Sequence, residues 1–83
     1  MGAFETSLSQ QAIHQGFATL KLMDHLDREL DSLNQRRIAA GVSSQEGLRL
    51  GRIRTSHLRK IQDCIADLNA SGFNNWLLER QLA

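Results

Sequence analysis

Ile38-Ala39-Ala40-Gly41-Val42-Ser43-Ser44-Gln45-Glu46 is the stretch that decides the fold. A helix running into Ala40 meets a glycine, which can close it in the left-handed conformation without a Cβ clash. Ser43 stands three places before Glu46, the spacing of a capping box. There the hydroxyl and the carboxylate each satisfy a free backbone N–H at the start of a new helix. The link between the two helices is Gly41 to Ser43, and so short a link forces antiparallel neighbours.

Upstream of the turn, Ile13, Phe17, Leu20, Met23, Leu26, Leu30 and Leu33 recur in steps of three and four, one face of a helix. Ser7 and Gln10 form a candidate capping box, so the first helix is expected over about 8–40. Downstream, Leu50, Ile53, Leu58, Ile61, Ile65 and Leu68 predict a second helix over about 44–70, with Cys64 as a small core residue. Ser71-Gly72 ends it. Asn74 is the expected cap of a short third helix over about 75–81, with Phe73 and Leu78 at the positions of a hydrophobic staple. The reading is a single all-α domain over 1–83: a long antiparallel hairpin with a short C-terminal helix. That helix is expected to fold back on the start of the first, with Phe73 and Trp76 against Phe4, Leu8 and Ile13.

Size limits what this domain does alone. The chain has 83 residues, and a domain this short buries only about 60% of its unfolded surface. Such domains gain stability from disulfides, metal or association. Cys64 is the only cysteine, so no disulfide forms within the chain. His14, His25, His57 and Cys64 show no metal-ligand spacing, and no cofactor is expected. Association with a partner or a second copy remains, and a homodimer is the expected state. There is no proline, which suits long helices.

The start of the chain lacks a basic segment followed by an apolar run, and no stretch is apolar enough to span a membrane. With the lone cysteine this predicts a cytoplasmic setting. Met1-Gly2-Ala3-Phe4-Glu5-Thr6 fits the loose myristoylation pattern.

The first helix carries more apolar positions than one seam needs. Leu22, Leu26 and Leu33 fall off the stripe of Ile13, Leu20 and Met23 at about 100° per residue. Exposed together they would be an unusual monomer surface. They are therefore expected, with Phe73 and Trp76, to contact a partner by helix-in-groove packing or bundle completion. Polar residues also enter the seam. Arg54 and His57 lie on the apolar side of the second helix, and pairing about Val42 sets His57 opposite Asp27. A buried charge needs a partner, so an Asp27–His57 or Asp27–Arg54 contact is expected.

Catalytic patterns are scarce. His25-Leu26-Asp27-Arg28-Glu29-Leu30-Asp31-Ser32-Leu33-Asn34-Gln35-Arg36-Arg37 resembles the first helix of the all-α chorismate mutases. That likeness would imply a mutase with a lysine further on, but the lysine's place falls at Gly47 or Leu48. The family's Arg–Glu pair is missing from the second helix. The stretch reads as an amphipathic helix. Cys64 and His57 are two turns apart, too far for a nucleophilic dyad. The glycines match no phosphate loop. No enzyme is expected.

Arg49, Arg52, Arg54, Arg59 and Lys60 cluster on the second helix, with Arg52 and Arg59 on one outer face. They have three readings: a solvated face held in salt bridges, an acidic protein partner, or a nucleic-acid backbone. The net charge of +1, the absence of interleaved aromatics and the acids Asp24, Asp27, Glu29 and Asp31 on the first helix favour protein. Those acids are expected to take up part of the arginine charge in salt bridges. In general build the chain resembles the short helical hairpins of secretion co-chaperones and of phage or plasmid accessory proteins. The expected function is a non-catalytic adaptor, chaperone or assembly factor.

Overall fold

A computed structural model describes residues 7–82, and the Met1–Thr6 pattern and Phe4 lie outside them. Three helices follow one another: α1 (Gln10–Ala40), α2 (Gln45–Ala70) and α3 (Phe73–Leu82), with no strand among the described residues. α1 and α2 pack as an antiparallel hairpin, and α3 is a short addition at the open end. The result is a rod of 58 × 19 × 17 Å. Its radius of gyration is 17.3 Å, where a compact domain of this length would have about 12 Å.

The turn forms where expected, one residue later. Gly41 takes φ 92° and its N–H reaches the Ile38 carbonyl. The cap of α2 is Ser44 rather than Ser43. Its Oγ accepts from the Gly47 N–H at 2.9 Å and donates to the Gly41 carbonyl at 2.7 Å. One hydroxyl thus ties both helix ends. Glu46 leaves the capping role and binds Arg49 instead, at 2.6 and 3.0 Å. α1 likewise starts from Ser9, whose Oγ accepts from the Ala12 N–H, rather than from Ser7. Gly72 takes φ 82° and ends α2 as expected. α3 begins at Phe73, two residues early, because the Ser71 hydroxyl takes the Phe73 N–H. The Asn74 amide is turned to Asn69 and caps nothing.

The seam follows a coiled-coil period. In α2 the inward residues are Gly47, Leu50, Arg54, His57, Ile61, Cys64 and Leu68, in alternating steps of three and four. That is 3.5 residues per turn, the repeat of helices that wind round each other. In α1 Gly16, Met23, Leu30 and Arg37 are seven apart, and Leu26 and Leu33 fall between them. Leu26 and Leu33 are 4% and 6% exposed, so two of the three leucines expected to be spare are core, and Leu22 alone of them is exposed. The expected stripe drifted because a straight 3.6-residue helix drifts about 20° per heptad from this seam. Ile65 and Phe17, expected on the inner faces of their helices, are about half exposed. Cys64 and Leu68 hold the seam there. Burial of each core leucine contributes about 1.5–3 kcal/mol.

The open end closes differently. Phe73 is fully buried, against α1 at Gly16. A Cβ at residue 16 would overlap the Phe73 ring, so glycine is what lets the ring in. Phe17 meets Phe73 edge-on at 5.2 Å and Trp76 at 6.1 Å, while Phe73 and Trp76 stack at 5.6 Å. Arg80 lies over the Trp76 ring. α3 therefore does fold back onto α1, at Gly16 and Phe17.

Candidate interaction flank

The coiled-coil register assigns every surface residue to one side of the rod. Phe17, Asp24, Asp31 and Ile38 are seven apart and form one line beside the α1 seam. Leu48, Thr55 and Gln62 form the matching line on α2, with Gly51, Leu58 and Ile65 just inside it. Arg52 and Arg59 lie further round, on the outer back of α2, and Arg52 borders a cleft with Leu48 and Thr55. This flank carries the open aromatic end and the apolar turn end: Phe17, Ile38, Leu48 and Ile65 are all exposed. Val42 joins them at the turn. Leu22 and Glu29 run along the opposite flank.

Two clefts open on the apolar flank. One is lined by Asp24, Asp27, Asp31, Asn34, Arg28 and Arg54. The other spans the groove between Arg37 and Leu48, with Val42, Gly51, Arg52 and Thr55. Arg37 passes over Gly51, gives a bond to the Asn34 side-chain oxygen at 3.3 Å, and leaves its Nε buried without a partner.

The polar layer in the seam exists, with a different acid. His57 is half-buried, and its Nε2 lies 2.7 Å from Glu29 Oε2. Its Nδ1 is 3.0 Å from the Ile53 carbonyl. Asp27 is exposed and makes no ion pair with Arg54 or His57 among the described residues. The one-residue shift of the turn explains the change: moving the cap from Ser43 to Ser44 brings Glu29, two residues on, opposite His57. Both ring nitrogens face acceptors, so both bonds are donated only when the ring carries two protons. His25 binds the same carboxylate from the preceding turn. The His57 hydrogen bond, with the His25 charge adding to it, holds the Glu29 carboxyl below the usual carboxylate range.

The arginines are less consumed than expected. Arg49 is held by Glu46, which raises its pKa and lowers that of Glu46. Asp24 pairs with Arg28 on its own helix at 2.8 Å. Arg52, Arg59 and Lys60 are exposed and form no ion pair with α1 among the described residues.

Of the residues expected to meet a partner, Leu26, Leu33 and Phe73 are buried in the fold. Trp76 is half-buried at the edge of the flank, Arg52 and Arg59 point outward, and Leu22 is exposed on the other side. Phe17, Ile38, Val42, Leu48 and Ile65 were not among the expected contacts. The steps of three and four from Gly47 to Leu68 are the signal that finds them, since that register turns Leu48 and Ile65 out.

Among the described residues no group of three His, Cys, Asp or Glu side chains is arranged to hold a metal. No helix there is long and apolar enough to cross a membrane. The chain matches no protein-family model, no curated protein and no solved structure.

Proposed function

We infer that this chain is a non-catalytic protein-interaction module that acts by helical packing, as an adaptor, chaperone or assembly factor does. The observation that carries this is the uncovered flank: four large apolar side chains, Phe17, Ile38, Leu48 and Ile65, exposed along one side of a rod two helices thick. A partner helix or hairpin laid there would complete a bundle. Trp76 is the aromatic anchor at one end, the residue type most enriched at binding hot spots. Arg52 and Arg59 would orient an acidic surface.

The test uses matched exposures. Leu48 and Ile65 on the flank are 55% and 44% exposed, and Leu22 on the opposite side is 47% exposed. Leu48→Asp and Ile65→Asp are expected to abolish capture of the partner, whether a second tagged copy or a host protein, and Leu22→Asp to leave it intact. Equal behaviour of all three variants would contradict this function.

Nucleic acid is the second reading, favoured by the exposed Arg52, Arg59 and Lys60, which form no ion pair among the described residues. It requires retention on duplex DNA or RNA that falls steeply with salt and is lost in Arg52→Glu/Arg59→Glu.

A further inference from the structure

We propose that the occupant of the flank is a second copy of this chain, packed so that the α1 edge of each copy lies along the α2 edge of the other. The proposal rests on the interaction reading above and names its partner. Two observations carry it, one of area and one of charge.

The flank runs the length of α1, 31 residues or about 46 Å, and is two helices wide, an area of the order of the roughly 800 Å² that each partner gives to a standard interface.

The α1 edge reads apolar, acid, acid, apolar in Phe17, Asp24, Asp31 and Ile38. Along α2, Leu48 and Ile65 stand at the two ends of the flank, and Arg52 and Arg59 lie between them on the outer back of the helix, with Thr55, Leu58 and Gln62 on the face itself. Laid together, the ends meet apolar to apolar and the middle meets acid to base. A two-fold axis repeats the contact, so both edges of both copies are satisfied at once. Asp31, Arg52 and Arg59 form no ion pair within the chain among the described residues. Asp24 has, among the described residues, only its exposed pair with Arg28, a kind that contributes little and exchanges easily. The same acids argue against nucleic acid as the occupant, because Asp24 and Asp31 would lie beside the phosphates that Arg52 and Arg59 attract.

The test is a charge exchange on the full chain, read by sedimentation equilibrium over a concentration series, with circular dichroism to confirm folding. The native chain is expected to be a dimer that weakens as salt rises. Arg52→Glu/Arg59→Glu and Asp24→Arg/Asp31→Arg are each expected to weaken self-association by about ten-fold or more. The chain carrying all four changes is expected to recover to within about three-fold of native, since its pattern is again complementary. A native chain that is monomeric at about 100 µM overturns the second copy, as do folded four-fold variants with no recovery. If the native chain is monomeric yet Leu48→Asp still abolishes capture of a host protein, the interaction reading stands and only this proposal falls.

Discussion

The two ends of the rod are both closed around a glycine, and they use it in opposite ways. At the turn, Gly47 lies against the Gly41 carbonyl, so backbone meets backbone. At the open end, Gly16 makes a gap that the Phe73 ring fills. The first closure is local: a glycine, a serine cap and a three-residue link specify it. The second joins residues from opposite ends of the chain, and only packing specifies it. The difference teaches where stability can be tuned by side chains and where it cannot.

The largest effect is expected from Phe73→Ala. Removing a fully buried aromatic costs about 3–5 kcal/mol, and α3 should come loose while the turn survives. Thermal melts give the loss. Hydrogen exchange should show fast amides confined to Phe73–Leu82 and the start of α1.

Gly16→Ala and Gly47→Ala then separate the two closures. Each forces overlap and is expected to cost about 1–3 kcal/mol. Phe73→Leu should recover part of the Gly16→Ala loss by making room, a coupling that a double-mutant cycle measures. The same cycle between Gly47→Ala and Phe73→Leu should show no coupling. Equal coupling for both glycines would end the distinction.

The caps sharpen it further. Ser44→Ala is expected to cost about 1 kcal/mol, because Ser44 serves both helix ends at the turn. Ser9→Ala, which loses one bond at an outer terminus, should cost less in the same denaturant titration.

The smallest effect lies midway between the ends, at Glu29. Its carboxyl is held below its ordinary value chiefly by the His57 hydrogen bond. A lowered carboxyl stabilises the fold above its unfolded value and loses that contribution as pH falls through the lower, folded value. Stability should therefore decline on the acid side, and Glu29→Gln should flatten that limb. Melting temperatures across the acid range check it. An unchanged acid limb would mean that the Glu29–His57 pair contributes nothing to folding.

The hairpin, both α2 boundaries to within a residue, the role of Gly41 and Gly72 and the presence of a third helix were legible in the sequence, because each rests on local chemistry. The polar layer was legible in part. Arg54 and His57 were found on the inner side of α2, but their acid was read as Asp27 because the turn was centred one residue early. The division of leucines was not legible at a straight-helix period. At that period Leu26 and Leu33 fall on the outer side and Ile65 on the inner one, the reverse of their burial, since small errors of angle accumulate along helices of 31 and 26 residues. Nothing local announced that Gly16 would receive Phe73. The outward arginines are legible as a cluster, and their freedom from α1 is not, because Asp24 pairs with Arg28 on its own helix and Glu29 is taken by His25 and, across the seam, His57.

In the proposed arrangement one flank of the rod is an interface and the other is not. Leu48, Ile65 and Leu22 test it directly, because a single chain exposes all three to a similar degree. Their methyl groups would be followed by NMR in the full-length protein at dimer-forming concentration, with a soluble paramagnetic agent added to broaden whatever it reaches. Leu48 and Ile65 are expected to be shielded and Leu22 broadened, with the shielding lost in Arg52→Glu/Arg59→Glu. Equal broadening of all three in the native protein would contradict it.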